Sequence, residues 1–330
     1  MKIGYFADGP WSHRALEKLN EDDRFEIVFI VPRYDTQDPV LREWAGKIGV
    51  DYLLLKNVNS YESLELLKRY QADLFISMSF NQILKRDILN MSPKGFINCH
   101  AGELPYYRGR NILNWALIND AKQFGVTVHY VDEGVDTGDI IVQEVKPITD
   151  EDTYATLLDR AVVLCANLLM ESVVQIHKGR VVRRRQNDIH PVGFYCCNRS
   201  EGDEWIDWNW SSRRIFNFVR SISSPGPSAR TLYNGKVVAV HAVSLIENAP
   251  EYIGTPGEIV GLSNEGLIVK TGDSTISLDQ LEVVPSAANE LIECRFRIGQ
   301  RFGRNNEIVM NELLERVSKL EQQLALALKE

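Results

Sequence analysis

The sequence predicts an α/β protein: a doubly wound, Rossmann-like sheet domain, then a small β-barrel resembling the oligonucleotide-binding (OB) type, then a C-terminal helix. Three observations carry this. Short apolar runs alternate with amphipathic helical stretches through the first half. After Glu204 the texture changes to short strands divided by Gly, Asn and Asp turns. The last residues repeat apolar side chains in steps of three and four. At 330 residues and 44% hydrophobic content, the chain can fill two cores.

In order, "KIGYFA" is a strand, "HRALEKLN" a helix, "FEIVFIV" a strand, "VLREWAGKIG" a helix, "DYLLL" a strand, "SYESLELLKRY" a helix and "ADLFISMS" a strand. Alternation of this kind predicts parallel βαβ units. "GFINCH" follows as a fifth strand, "NILNWALINDA" as a helix, and "GVTVHYV" and "DIIVQEVKPI" as two further strands. A long apolar-faced helix from Tyr154 to His177 closes the domain. The periodicity breaks in "GRVVRRRQNDIHPVG", which reads as a linker whose arginines form a solvated basic turn. "IDWNWSSRRIFNFVRSI" is a short helix with Ser211 or Ser212 as N-cap, ended by "SPGPS". The strands "KVVAVHAV", "GEIVGL", "GLIVKTG" and "STISLDQLEVV" build the barrel. The expected boundaries are therefore 1–185, a linker at 186–203, a barrel at 204–303 and a helix at 304–330. Met310, Leu313, Val317, Leu320, Leu324 and Ala327 mark about two and a half heptads, either the seam of a homodimer or a helix packed on its own barrel.

Composition excludes several classes. No apolar run reaches the roughly 18 to 20 residues of a membrane span, and the N-terminus lacks a signal-peptide pattern, so a cytoplasmic protein is expected. Cys99, Cys165, Cys196, Cys197 and Cys294 have neither disulfide-framework nor zinc spacing, so reduced thiols and no metal are expected. The turn "FADGPWSH" lacks the Gly-x-Gly-x-x-Gly that lets a backbone approach a dinucleotide. A net charge of -8 argues against nucleic-acid binding.

The chemistry lies in "FINCHAGELPYYRGRN". Asn98 and His100 close a strand, and alternation puts both on one face. An amide there can donate to a developing oxyanion, and an imidazole can move a proton. Orienting the imidazole needs a carboxylate, and "YVDEGVDTGDIIVQE" offers Asp132, Glu133, Asp136 and Asp139.

"NCHAGELPYYRGRN" followed by "GVTVHYVDEGVDTGDIIVQE" resembles the signature of the N10-formyltetrahydrofolate-dependent formyltransferases: Asn-x-His, Leu-Pro, Tyr-Arg-Gly-Arg, Gly-Val-Thr and Asp-x-Gly-Asp. The resemblance implies Asn98, His100 and Asp136 as the catalytic trio, with N10-formyltetrahydrofolate as formyl donor. It also implies pterin contacts at Phe80, Gln82, Ile83 and Leu84, largely through the main chain, and at the loop from Asp132 to Asp136. "AGELP" departs from the Ser-Leu-Leu-Pro of many members, which puts the packing around Glu103 in question. The second half resembles the C-terminal domain of methionyl-tRNA formyltransferase, from "IDWNW" to "VKTGD".

Within the family, "YYRGRN" looks closer to the sugar N-formyltransferases. "VPRYDTQDPVLREWAGKIGV" carries as many acids as bases where the tRNA enzyme has a Lys- and Arg-rich loop. The expected acceptor is thus a nucleotide-linked amino sugar, dTDP or UDP, for surface glycan synthesis, with Tyr106, Arg110 and Asn111 as its contacts. Methionyl-tRNA formylation is the alternative. A non-enzymatic assembly module would leave the Asn98, His100, Asp136 trio idle.

Overall fold

The computed structural model describes residues 1–263, 266–285, 295–303 and 306–327; Cys294 and the ends of the heptad tail lie outside them. The chain forms two compact units, Met1–Ser200 and Glu201–Glu330.

Unit one runs β1 (Lys2–Ala7), α1 (Gly9–Asn20), β2 (Glu26–Pro32), α2 (Pro39–Ile48), β3 (Asp51–Tyr52), α3 (Tyr61–Lys68), β4 (Leu74–Met78), α4 (Arg86–Leu89), β5 (Phe96–His100), β6 (Arg108–Gly109), α5 (Ile112–Ile118), β7 (Gln123–Tyr130), β8 (Ile140–Pro147), α6 (Tyr154–His177), α7 (Gln186–Ile189) and β9 (Tyr195–Cys196). Seven strands form one sheet in the order β3-β2-β1-β4-β5-β7-β8. The first five are parallel, as the alternation predicts, and β5–β7 and β7–β8 are antiparallel, a direction the sequence reading leaves open. Residues 131–139 alone join β7 to β8, and a parallel crossover needs about a dozen or more.

The strands read as unbroken apolar runs because helices and loops cover both faces. On one face Ile3, Tyr5, Ile76 and Ile97 pack with Leu16, Leu157 and Leu169 from α1 and α6. On the other, the Phe6 ring lies 5.6, 5.3 and 5.0 Å from those of Phe29, Phe75 and Phe96. Gly4 permits this: a Cβ there would stand 2.3 Å from the Phe29 ring. Of the expected strand "DYLLL", only Asp51 and Tyr52 pair, and Leu55 turns into the phenyl cluster. Local signals set the helix ends. Asp38 accepts from the Val40 and Leu41 amides ahead of α2, with Pro39 in its first turn and left-handed Gly49 beyond it. Thr153 and Thr156 cap α6 reciprocally.

The segment expected to be a linker is folded. α7 and β9 belong to unit one, and β9 pairs with β6 in the "YYRGRN" turn. Unit two contains α8 (Ser212–Ser221), capped by Ser211 as the sequence allows, then β10 (Ala229–Tyr233), β11 (Lys236–Leu245), β12 (Ile259–Leu262), β13 (Leu267–Lys270), β14 (Thr275–Val283) and α9 (Asn306–Ala327). The antiparallel order is β10-β11-β14-β13-β12. Residues 299–303 join its two edges: the Gly303 amide donates to the Leu232 carbonyl, and the Phe302 amide to that of Gly257. Strand β10 and this closing segment were not anticipated. On α9, Met310, Leu313, Val317, Leu320 and Leu324 are all more than half exposed, so packing on the chain's own barrel does not occur at these side chains. Among the described residues, no helix is long and apolar enough to cross a membrane.

Candidate active site

Strand β5 is buried on both faces, and its even-numbered residues share the face of Phe96. That face ends in two polar side chains, Asn98 and His100. The antiparallel register sets Asn98 opposite His129 and His100 opposite Thr127, and residues directly opposite share a face. A polar patch is thereby built into the sheet. The 131–139 loop folds back over it. Asp136 stands there with left-handed backbone, φ 54°, a conformation Asp tolerates better than most residues.

The carboxylate gathers the patch. Asp136 Oδ2 lies 3.6 Å from His100 Nδ1 and accepts from the Gly109 amide at 2.9 Å. Its Oδ1 lies 3.5 Å from both His129 Nε2 and Asn98 Nδ2. Of the four candidate carboxylates, Asp136 is therefore the one that meets Asn98 and His100. Glu133 faces Arg86 at 3.6 Å, and Asp132 Oδ1 accepts from the Gly134 amide and the Thr137 hydroxyl. Burial opposes ionisation of Asp136, but the His100 charge, the His129 hydrogen bond and charge, and the Gly109 amide override it and hold the carboxyl below the usual carboxylate range.

The ring orientations follow from partners that can only accept. His100 Nε2 stands 2.7 Å from the Tyr107 carbonyl, so Nε2 carries a hydrogen and Nδ1 faces Asp136. Tyr107 itself is left-handed, φ 54°, and Gly102 must lack a side chain, since a Cβ would lie 2.5 Å from both His100 Nε2 and the Tyr107 oxygen. His129 Nδ1 donates to the Tyr130 carbonyl at 2.7 Å, which turns Nε2 toward Asp136 Oδ1 at 3.5 Å and Asn98 Nδ2 at 3.3 Å. The sequence reading missed His129. Its signal was a histidine on the alternate face of an apolar strand that runs into the acidic loop. Glu103, the departure from the family pattern, accepts from Gln123 on the exposed side and leaves the trio undisturbed.

A cavity of about 610 Å³ opens beside the trio at the carboxyl ends of β1, β2, β4 and β5, where open α/β sheets bind ligands. Its wall includes Asn98, His100, Asp136, Phe80, Gln82, Ile83, Leu84, Asp132, Arg110 and Asn111, with Trp11, Arg33 and Asn81, which no motif indicated. The Gln82 amide is committed elsewhere, accepting from the Val58 amide and donating to the Leu55 carbonyl, so its main chain is what remains for a ligand. Leu84 is buried in the phenyl core. Asn111 precedes α5 in the left-handed region, and its side chain makes no capping bond but accepts from the Arg199 amide. Tyr106 is absent from the cavity wall and packs against His190 and Phe194. Among the described residues, no group of three or more His, Cys, Asp or Glu could hold a metal ion.

Two family models match the chain, one described as formyl transferase over residues 1–173 and one as formyl transferase, C-terminal domain, over 199–289. A methionyl-tRNA formyltransferase of Halothermothrix orenii is 33% identical over 298 residues, 86% of this chain and 92% of that protein. Among solved structures, an N-formyltransferase from Helicobacter canadensis, in complex with folinic acid and dTDP-3-aminofucose, superposes with a TM-score of 0.64 at 20% identity. It covers 85% of this chain and 100% of its own. The sugar 3N-formyl transferase WlaRD, in the presence of dTDP and 5-N-formyl-THF, has a TM-score of 0.63 at 19% identity, over 88% and 99%. The last two are likenesses of fold.

Proposed function

We propose that this chain, which belongs to the formyl transferase family, moves the formyl group of N10-formyltetrahydrofolate to a primary amine held beside Asn98, His100 and Asp136. One observation carries the reading: an amide, an imidazole and a buried, ionised carboxylate meet at one point of a cavity wall. The amine nitrogen attacks the formyl carbon, the new C–N bond forms, and the carbonyl oxygen gains negative charge. Asn98 donates to that oxygen. Its resting contacts, 3.3 Å to His129 and 3.5 Å to Asp136, are long and weak to give up. His100 takes the proton from the attacking nitrogen at Nδ1, the nitrogen that Tyr107 leaves free, and Asp136 stabilises the imidazolium. The bond from carbon to N10 then breaks, and N10 receives the proton. On the donor side, the main chain of 80–84 and the loop from Asp132 offer hydrogen-bonding groups for a flat heterocycle, and the volume lies within the roughly 300–1,000 Å³ of small-molecule sites.

Methionyl-tRNA formyltransferases aligned over 92% and 98% of their own length favour methionyl-tRNA as the carrier of the amine, above the amino sugar expected from net charge. Net charge is a sum over the molecule, whereas RNA binding answers to the local field. One observation favours the amino sugar as a second reading. The loop from β2 to α2 spans only Arg33 to Asp38. Its single arginine donates to the Ser79 carbonyl, Asp35 accepts from Asn81, and Asp38 is tied to His13 and Gly9, so the loop is committed inward and carries no excess of cations.

Competing acceptors test both. With N10-formyltetrahydrofolate as donor, initiator methionyl-tRNA and a panel of dTDP- and UDP-amino sugars are compared by kcat/KM. The larger value assigns the acceptor. Loss on the order of a hundredfold or more in His100→Asn and Asp136→Ala supports the trio. Near wild-type turnover in either variant removes that residue from the mechanism, and no transfer to either acceptor class overturns both readings.

A further inference from the structure

Gln186 opens α7, in the stretch that sequence alone treats as linker, and only 3% of it is exposed. Its side chain has two N–H donors and an oxygen with two lone pairs, and every one is used. Nε2 donates to the Asp136 carbonyl at 2.8 Å and to the Gly138 carbonyl at 2.9 Å. Oε1 accepts from Arg108 Nε at 3.1 Å and Nη2 at 2.6 Å. The orientation of the amide is unambiguous, since a guanidinium can only donate and a carbonyl can only accept.

These bonds close a ring through Asp136. Arg108 is followed by Gly109, whose amide donates to Asp136 Oδ2, and Gln186 returns from Arg108 to the Asp136 backbone. The loop so gripped is conformationally demanding. Asp136 is left-handed, and a Cβ at Gly138 would stand 1.8 Å from the Tyr130 carbonyl oxygen. Such backbone persists only where surrounding bonds over-determine it. We infer that Gln186 is a positioning residue: through its two donors it holds Asp136 against His100, and through Arg108 it locks that geometry to the turn whose Arg110 and Asn111 line the cavity. The inference rests on the role of Asp136 given above.

The neighbouring chemistry narrows the possible replacements. Glutamate could still accept from Arg108 but would set lone pairs against two carbonyls. Methionine keeps most of the volume and loses all four bonds. The test is a double-mutant cycle on the full chain. Gln186→Met should lower kcat about ten- to a hundredfold, the scale of a reacting group displaced by about an ångström, with KM for the folate donor within about twofold. In an Asp136→Asn background, the same change should cost less than about threefold more, because residues that act through one another are not additive. A purely structural glutamine would give the same factor in both backgrounds and a lower melting temperature. Wild-type kcat in Gln186→Met, or a full multiplicative loss in the Asp136→Asn background, overturns the inference. If Gln186→Met fails to fold, Arg108→Met carries the same cycle, removing both donors from Oε1 while leaving the amide in place. Undiminished activity in Asp136→Asn alone would instead overturn the catalytic reading on which this rests.

Discussion

At the scale of single residues, the site is governed by how one buried charge is accommodated. Asp136 is unfavourably buried, yet two imidazoles and the Gly109 amide hold its carboxyl ionised below the usual range. The sign of the linkage follows. A carboxyl with a depressed folded pKa contributes stability that is fully present above the unfolded value, about 4, and is lost as pH falls through the folded value. The melting temperature of the wild type should therefore fall more steeply below about pH 4.5 than that of Asp136→Asn, as calorimetry at stepped pH would read. Parallel curves would mean that Asp136 gains nothing from its partners. The Cys196 thiol is pushed up to about 11 by burial and by Cys197, so near neutral pH it stays protonated and is no nucleophile.

At the scale of elements, two glycines separate loop from helix. Gly138 sits where a Cβ would collide with the Tyr130 carbonyl. A backbone carbonyl held in the sheet cannot yield as a flexible side chain can. Gly46 lies inside α2 with nothing within 4 Å of its would-be Cβ. Gly46→Ala should therefore stabilise by about 0.5–1 kcal/mol through helix propensity and the unfolded chain. Gly138→Ala should destabilise and also depress turnover, since the strain falls on the Asp136 loop. Denaturant titration and steady-state rates check both. Wild-type stability in Gly138→Ala would mean that the Tyr130 carbonyl does yield to a Cβ.

For the whole molecule, the exposed face of α9 makes self-association the expectation. Met310, Leu313, Val317, Leu320 and Leu324 are between 51% and 62% exposed. A β-branched residue at one a position with leucine at d suits a two-stranded parallel coil. In that register, Arg316 at g falls opposite Glu321 at the following e of a second copy. About two and a half heptads are short for an autonomous coil, so deleting 304–330 should weaken a dimer rather than touch catalysis in unit one. Arg316→Glu should weaken it as well, and adding Glu321→Arg should restore it. Sedimentation at tens of micromolar reads all three, and a monomeric full-length chain would end the idea.

How much of this was legible in the sequence depended on the range of the interaction. Most helices and strands of unit one were readable because apolar periodicity, Pro39, Gly49 and the Thr153 cap act within a few residues. Asn98 and His100 were readable because alternation along one strand fixes a shared face. The choice of Asp136 among four carboxylates came from resemblance, not from pattern, and only the loop's left-handed turn back over the sheet brings that side chain to the pair. His129 was signalled only by its place on an apolar strand, and Gln186 not at all. One reaches the site through antiparallel register with a strand about thirty residues away, and the other through a segment whose composition reads as linker until β9 pairs with β6. Local chemistry was set by neighbours in sequence. The convergence of amide, imidazole, carboxylate and their support was decided by tertiary structure, because hydrogen bonds join atoms close in space whatever their separation along the chain.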